Sequence, residues 1–109
     1  MSLAGPAPRQ AFISLGANLG DARATLVAAL QQIADLPGTV LSRRSGLYRS
    51  APVEAQGPDY YNAVAEVHTF LTPEALLRQL QAIEQQHGRD RPYRNAPRTL
   101  DLDLLLFEG

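Results

Sequence analysis

Two segments with helical spacing of apolar residues, each flanked by strand-like segments, constrain the fold of this chain most. The first begins at Asp21, an N-capping residue type, and continues to the Pro37-Gly38 pair. The second begins at Thr72 with proline in its first turn. Four further segments have the apolar content or alternation of strands: residues 12–15, 40–49, 60–70 and 100–106. The predicted order is therefore strand, helix, strand, strand, helix, strand.

Two strand-helix-strand halves of this kind pack as an antiparallel sheet with both helices on one face. We therefore predict an α+β protein with the ferredoxin-like βαββαβ arrangement. The 109 residues suffice for one small domain and are too few for two. Residues 1–10 are rich in alanine, glycine and proline and are predicted to be a flexible lead-in, and residues 11–107 to form the core.

Alternation along the strands predicts which side chains share a face. The last strand should turn four leucines toward the helices: Leu100, Leu102, Leu104 and Leu106. Asp101 and Asp103 then lie on the opposite, open face. In the strand of residues 60–70, Tyr60 and Asn62 share one face. The second helix should bury a stripe of four apolar residues: Leu76, Leu77, Leu80 and Ile83.

Composition excludes several classes of function. The absence of cysteine excludes disulfides, thiolate metal sites and cysteine nucleophiles, and two distant histidines, His68 and His87, are interpreted as ordinary surface or helix-end residues. No apolar stretch approaches the roughly 18 residues of a membrane span, and no secretory signal is recognisable, so a cytoplasmic location is predicted. The net charge of −1 argues against bulk attraction to nucleic acid or to an acidic membrane.

The distribution of the cations is more informative than their number. Every cation is an arginine, and four of them lie within ten residues: Arg89, Arg91, Arg94 and Arg98. Arginine binds phosphate in a bidentate manner, and aspartates two residues apart on a strand can bridge divalent ions such as Mg²⁺. The cluster beside Asp101 and Asp103 therefore suggests a site for polyphosphate and metal. The alternatives are a solvated loop and charges that protect an edge strand from aggregation.

Other candidate residues have an ordinary structural explanation beside the functional one. The segment from Gly16 to Gly20 is neither a P-loop nor GxGxxG, so its glycines are interpreted as those of a tight strand-to-helix turn. Tyr60 could stack on a flat ring while Asn62 bonds its edge, or the tyrosine could be a core residue or a cross-strand partner. Glu84 is expected to be a surface acid unless the fold brings it beside the two aspartates.

The segment from Arg94 to Leu105, RNAPRTLDLDLL, resembles the signature of the 6-hydroxymethyl-7,8-dihydropterin pyrophosphokinases. These folate-pathway enzymes transfer pyrophosphate from ATP to a pterin alcohol. Supporting matches occur in the order of the family: Ser14 to Gly20, Leu47 to Ser50, Pro58 to Ala63 and Ile83 to Arg89. The resemblance covers about Phe12 to Phe107 and implies a Mg²⁺-dependent enzyme with ATP as co-substrate.

The resemblance also implies roles for individual residues. Asp101 and Asp103 would hold two Mg²⁺ ions, and Arg89 and Arg98 would be the catalytic, phosphate-contacting arginines. The remaining ATP-binding residues would be Glu84 and Arg91. The pterin would be bound by five residues: Ser50, Pro52, Val53, Tyr60 and Asn62.

The chain also departs from the family pattern. Asn95 stands where a number of members have tryptophan, and Ala51 replaces the first proline of a common pair. Members continue well beyond the last strand, so we expect a truncated core that folds, turns over little substrate and self-associates through its exposed strand edge. The alternative function is a non-enzymatic ferredoxin-like module that binds RNA or a small ligand. Acids on the open face argue against RNA.

Overall fold

The computed structural model describes residues 7–51, 59–88 and 100–108. The described elements, in chain order, are β1 (Arg9–Ala17), α1 (Ala22–Ala34), β2 (Thr39–Arg44), β3 (Tyr48–Ser50), β4 (Tyr60–Thr69), α2 (Pro73–His87) and β5 (Asp101–Phe107). The strands form one antiparallel sheet in the order β2-β4-β1-β5, and β3 also pairs with β4. The predicted α+β, ferredoxin-like class is confirmed.

The second predicted strand, residues 40–49, is divided into β2 and β3, which both pair with β4. Between them, Ser45 takes over the pairing with Val64. Its backbone N–H donates to the Val64 carbonyl at 2.8 Å, and its hydroxyl accepts from the Val64 N–H at 2.9 Å. A side chain thus replaces one ladder bond, and the chain continues along β4 into β3.

Both helices begin at the predicted caps. The Asp21 carboxylate accepts a hydrogen bond from the Ala24 N–H at 3.1 Å, and the Thr72 hydroxyl accepts one from the Ala75 N–H at 3.1 Å. Such caps satisfy backbone donors that have no partner inside the helix. The predicted boundaries therefore follow from local chemistry.

The helices and one sheet face enclose an apolar core. Its fully buried large apolar side chains are Ile13, Leu15, Leu26, Ile33, Val67, Leu76 and Leu80. The prediction was wrong for Leu77, which is 42% exposed. Leu77 is rotated by about 100° from Leu76 around the helix axis and therefore lies outside the buried stripe. Within the described residues, neither helix is long and apolar enough to cross a membrane.

A register shift in β5 changes the face of its last leucine. Ile13 pairs with Leu104 and Phe12 pairs with Leu106, so β5 has one extra residue between them. Leu102 is buried as predicted, but Leu106 is turned away from the helices and is 66% exposed. The prediction for Leu106 was wrong because simple alternation does not anticipate a bulge.

Candidate functional site

The open face of the sheet carries a pocket of about 260 Å³ between β5 and the β3–β4 pair. Its lining residues are Ser14, Leu15, Gly16, Tyr48, Ser50, Ala51, Tyr60, Asn62, Asp101 and Asp103. Five of the residues assigned to the site from the sequence are among them: Ser50, Tyr60, Asn62, Asp101 and Asp103. The open face thus brings an aromatic ring, an amide and two carboxylates to one cavity.

Strand register explains why these side chains meet. Gly16 of β1 lies opposite Asn62 of β4 on one side and opposite Asp101 of β5 on the other. Directly opposed residues turn their side chains to the same face. The neighbouring residue pair in β1 and β5 is Ser14 with Asp103. Asn62 and Asp101 therefore flank a stretch of bare backbone at Gly16, which forms the floor of the pocket.

The two glycines of the segment before α1 serve different purposes. Gly20 has φ +59°, the left-handed conformation that suits a turn residue without a side chain. Gly16 lies within β1, where an added Cβ would lie 3.3 Å from Asn62 Oδ1 and 3.7 Å from Tyr60 Cδ1. The interpretation as a turn glycine was therefore right for Gly20 and wrong for Gly16, which provides space.

Asn62 is held in a defined orientation. Its Nδ2 donates to the Ser50 hydroxyl at 2.8 Å and lies 3.3 Å from the Tyr48 carbonyl oxygen that accepts from it. With the amide nitrogen turned toward β3, the oxygen Oδ1 is turned toward Gly16 and the pocket. Asn62 can therefore present a hydrogen-bond acceptor to a ligand, with Ser50 supporting it from behind.

An ion pair joins the two sides of the loop between β3 and β4. Arg49 Nη2 lies 3.1 Å from Asp59 Oδ2, and the guanidinium carbon lies 5.9 Å from the centre of the Tyr61 ring. Sequence analysis did not single out Arg49, because only the pairing of β3 with β4 brings it opposite Tyr61. Pro52 and Val53, assigned to pterin binding, lie in the loop outside the described residues.

Asp101 and Asp103 supply the acidic side of the pocket. Asp101 is half-buried and Asp103 is exposed, and both carboxylates line the cavity. Among the described residues, no three His, Cys, Asp or Glu side chains are grouped so that they could hold a metal ion. Mg²⁺ is commonly bound by one or two carboxylates together with water and substrate phosphates. Two carboxylates with hard oxygen donors, open to a cavity, fit that pattern.

Glu84 contacts β5 from α2. Its Oε2 accepts a hydrogen bond from the backbone N–H of Leu102 at 2.8 Å. The fold thus brings Glu84 to the strand that bears the two aspartates. It is therefore placed for a role at the site and is not only a surface acid. Three arginines assigned to phosphate contacts lie outside the described residues: Arg89, Arg91 and Arg98.

A second polar cluster, here called the Glu66 network, lies farther along the open face and was missed by sequence analysis. Arg43 Nε and Gln10 Nε2 donate to the Glu66 carboxylate, and His68 Nε2 lies 4.0 Å from it. The hydrogen bonds from Arg43 and then Gln10 lower the pKa of Glu66 below its ordinary value. An acid in a largely apolar strand was a signal in the sequence that Glu66 has polar partners. The sequence did not identify these partners, because they come from β1 and β2.

The histidines are placed as ordinary polar residues. His68 is partly exposed beside the Glu66 network. His87 ends α2, and its Nε2 lies 2.6 Å from Gln32 Oε1 of α1. Neither lines the pocket.

Similarity to known proteins extends over the same segment of chain that builds this face. The sequence model of the 7,8-dihydro-6-hydroxymethylpterin-pyrophosphokinase family matches residues 12–108. Two relatives are named 2-amino-4-hydroxy-6-hydroxymethyldihydropteridine pyrophosphokinase. The protein of Haemophilus influenzae is 48% identical over 89% of this chain and 61% of its own length. The protein of Pseudomonas aeruginosa is 46% identical over 91% of this chain and 62% of its own length. The chain thus spans about three fifths of the length of these two relatives.

Two more distant similarities were also found. The folic acid synthesis protein fol1 of Pneumocystis carinii is 38% identical over 88% of this chain and 13% of its own length. The crystal structure of the Bacillus subtilis YXEP protein, a dinuclear metal binding peptidase of the M20 family, superposes with a TM-score of 0.50 over 94% of this chain and 26% of that one, at 14% identity. The latter similarity shows the fold alone. From the family match and the relatives together, the chain belongs to the 7,8-dihydro-6-hydroxymethylpterin-pyrophosphokinase family.

Proposed function

We propose that this protein transfers pyrophosphate from ATP to 6-hydroxymethyl-7,8-dihydropterin in folate biosynthesis. The observation that carries the proposal is that Tyr60, Asn62, Asp101 and Asp103 line one common pocket. One side offers groups for a flat heterocycle, and the other offers carboxylates for a metal-bound polyphosphate. The names of the relatives, pyrophosphokinases of a hydroxymethyldihydropteridine, support the same substrates.

The pterin would bind at the side of the pocket formed by β3 and β4. Asn62 Oδ1, oriented by the bond from its amide nitrogen to Ser50, accepts from the N–H groups on the edge of the ring. The Tyr60 ring, which lines the same cavity, offers a face for stacking. Pro52 and Val53 belong to the proposed contacts through the loop that follows Ala51. Binding between a ring and a fixed amide orients the hydroxymethyl group for reaction.

Asp101 and Asp103 are the residues that would hold two Mg²⁺ ions. When bound, Mg²⁺ neutralises charge on the phosphates of ATP and orients them. Arg89 and Arg98 are assigned as the catalytic arginines that contact phosphate oxygens, and Arg91 and Glu84 complete the proposed ATP site. The protein must also place the hydroxymethyl oxygen of the pterin in line with the β-phosphorus of ATP and the bond that breaks.

In the proposed reaction the hydroxymethyl oxygen of the pterin attacks the β-phosphorus of ATP. A new oxygen–phosphorus bond forms, the bond from the β-phosphorus to the oxygen bridging the α-phosphate breaks, and AMP leaves with that oxygen. The hydroxyl proton is released to solvent. No covalent enzyme intermediate is required, so positioning and charge neutralisation supply the catalysis.

The decisive experiment measures AMP and pterin pyrophosphate formed from ATP and 6-hydroxymethyl-7,8-dihydropterin, with Mg²⁺ and with EDTA. Ligand binding is measured in parallel by NMR. Pterin should shift the amide signals of Gly16 and Asn62 before those of the helices. Absence of both turnover and localised shifts would reject the proposed function.

We also infer that the protein acts in the cytoplasm and that copies of this chain self-associate through β5. In the described sheet β5 is an edge strand, and Leu105 and Leu106 on it are 52% and 66% exposed. Exposed apolar edge strands favour pairing with another chain. Sedimentation over a range of protein concentrations tests this inference, since a strict monomer at high concentration would contradict it.

A further inference from the structure

The contact between Glu84 and Leu102 joins two elements that are separate in the chain. Glu84 lies near the end of α2 and Leu102 near the start of β5. The carboxylate oxygen Oε2 accepts from the Leu102 N–H at 2.8 Å. Leu102 stands between Asp101 and Asp103, so Glu84 binds the backbone between the two carboxylates that line the pocket.

The position of β5 in the sheet makes this contact important. Within the described sheet β5 pairs with β1 and is an edge strand, so the ladder holds it from one side. At the end remote from the pocket, Glu108 reinforces that pairing, because its N–H donates to the Gln10 carbonyl at 2.8 Å and its carboxylate accepts from the Gln10 N–H at 3.0 Å. At the pocket end, Glu84 supplies a bond to β5 from the helix.

The bond is of a strong type. A carboxylate that accepts from a backbone N–H forms a charge-assisted hydrogen bond, roughly twice as strong as a neutral one. The Leu102 side chain is buried in the core at 5% exposure, so the residue is held through its side chain as well. These restraints determine where the backbone of β5 lies, and the backbone determines the direction of the neighbouring carboxylates.

Glu84 does not act as a third ligand in this geometry. No group of three acids or histidines suited to a metal ion occurs in the described part of the chain. Its carboxylate acts on the strand backbone, whereas Asp101 and Asp103 line the cavity. Any effect of Glu84 on metal binding through this bond is therefore indirect.

We propose that Glu84 is a positioning residue that fixes β5, and with it the spacing and direction of the Asp101 and Asp103 carboxylates. The part of this inference that concerns metal binding rests on the proposed function. A displacement of about 1 Å is enough to weaken a site of this kind substantially. This role requires a side chain at position 84 that is long enough to reach the Leu102 N–H and that ends in an oxygen acceptor. It does not require the negative charge.

Three variants separate reach from charge, and one serves as control. Glu84→Gln retains an oxygen acceptor at the same reach without the charge, Glu84→Asp retains the charge but is one methylene shorter, and Glu84→Ala has neither. Gln85→Ala truncates the exposed neighbouring side chain on α2 and is the matched control. Circular dichroism confirms that each variant is folded before it is compared.

The first readout is hydrogen exchange at the Leu102 amide, which does not depend on any ligand. Exchange should be at least about tenfold faster in Glu84→Ala and Glu84→Asp, because the amide loses its acceptor. It should stay within about threefold of the wild type in Glu84→Gln and unchanged in Gln85→Ala. Unchanged protection in both Glu84→Ala and Glu84→Asp would overturn the inference.

The second readout is the affinity of the chain for Mn²⁺, measured from paramagnetic broadening at the Asp101 and Asp103 amides. Glu84→Ala and Glu84→Asp should bind Mn²⁺ about three- to tenfold more weakly, and Glu84→Gln about as well as the wild type. If Glu84→Gln is as weak as Glu84→Ala while Glu84→Asp is normal, the charge of Glu84 acts on the site and the positioning role is refuted.

Failure of the proposed metal site gives a different result from failure of the positioning role. If the wild type does not bind Mn²⁺, the assignment of Asp101 and Asp103 as metal ligands fails. The claim about β5 is then decided by Leu102 exchange and by the line widths of the Asp101 and Asp103 amides without metal. Release of the strand should broaden those lines in Glu84→Ala and Glu84→Asp, and unchanged lines with unchanged exchange would refute it.

Discussion

The two ends of the open sheet face carry polar side chains in the same alternating pattern but use them differently. At the Glu66 network, the carboxylate of Glu66 accepts from Arg43 and Gln10 and is only 6% exposed. At the pocket, Asn62, Asp101 and Asp103 line an open cavity. One end encloses its carboxylate among donors of the protein, and the other arranges its polar side chains around a cavity.

The residue beneath each cluster accounts for much of this difference. Gly16 leaves bare backbone under Asn62 and Asp101, whereas Phe12 lies in β1 opposite Glu66 and occupies the face with its ring. A second groove, of about 250 Å³, does adjoin the Glu66 network, but Phe12 and Val64 line it and its acid is already paired. The two cavities are similar in volume, so the side chains that line them distinguish the two ends: an amide and two carboxylates at one, and an acid enclosed by Arg43 and Gln10 at the other. Four predictions test this contrast.

The largest effect is expected from the two aspartates. Asp101→Asn or Asp103→Asn should lower turnover at least about a hundredfold, because loss of metal-centred charge stabilisation costs several kcal/mol. Folding should survive, since asparagine has nearly the size and shape of aspartate and neither residue is fully buried. The measurement is steady-state AMP formation at saturating Mg²⁺.

The matched control for the aspartates is Glu66→Gln, which also removes one carboxylate from the open face. It should leave turnover within about twofold of the wild type at pH 7, since Glu66 lies outside the pocket. Wild-type turnover in both aspartate variants would end the metal-site assignment. Equal losses in the aspartate and Glu66 variants would instead remove the distinction between the two ends of the face.

The second effect concerns the amide in the pocket. Asn62→Ala should weaken pterin binding by about 1–3 kcal/mol, since the ring edge loses its acceptor and Ser50 loses its donor. Binding of a non-hydrolysable ATP analogue should change much less. Calorimetric titration with each ligand measures both affinities.

Gln10→Ala provides the comparison for Asn62, because it removes an amide that is committed to the Glu66 network. It should leave both ligand affinities unchanged while lowering stability. Equal losses of pterin and ATP affinity in Asn62→Ala would identify a structural asparagine and contradict the proposed pterin contact.

A smaller effect is expected where the pocket has space but no side chain. Gly16→Ala places a Cβ 3.3 Å from Asn62 Oδ1, so the amide must move by a few tenths of an ångström. We expect pterin binding to weaken by about 1 kcal/mol, at the low end of the cost of overpacking. Gly46→Ala is the control, because a Cβ there meets no atom within 4 Å. Unchanged pterin binding in Gly16→Ala would show that the floor is not the contact surface.

The sequence was sufficient to predict features that depend on local chemistry. Helix caps at Asp21 and Thr72 and the alternation of β4 follow from interactions within a few residues, and the structure shows them as expected. Period-two alternation also predicts that Asp101 and Asp103 share one face of β5 and that Tyr60 and Asn62 share one face of β4. The ferredoxin-like order followed from these elements and from general rules of packing.

Features that depend on register could not be predicted in the same way. The bulge that turns Leu106 outward and the position of Gly16 between Asn62 and Asp101 arise from the alignment of separate strands. The partners of Glu66 likewise come from β1 and β2, which are distant in the chain. Sequence spacing within one strand contains no information about any of these pairings.

The smallest effect concerns the pH dependence of the Glu66 network. Hydrogen bonds from Arg43 and Gln10 hold the pKa of Glu66 below its unfolded value of about 4.3, so the folded state favours the charged form. The stabilisation is present above that unfolded pKa and is lost as the pH falls through the folded pKa. The stability difference between the wild type and Glu66→Gln should therefore shrink as the pH falls below about 4. Urea unfolding at several pH values measures this difference, and one that grows as the pH falls below about 4 would contradict the lowered pKa.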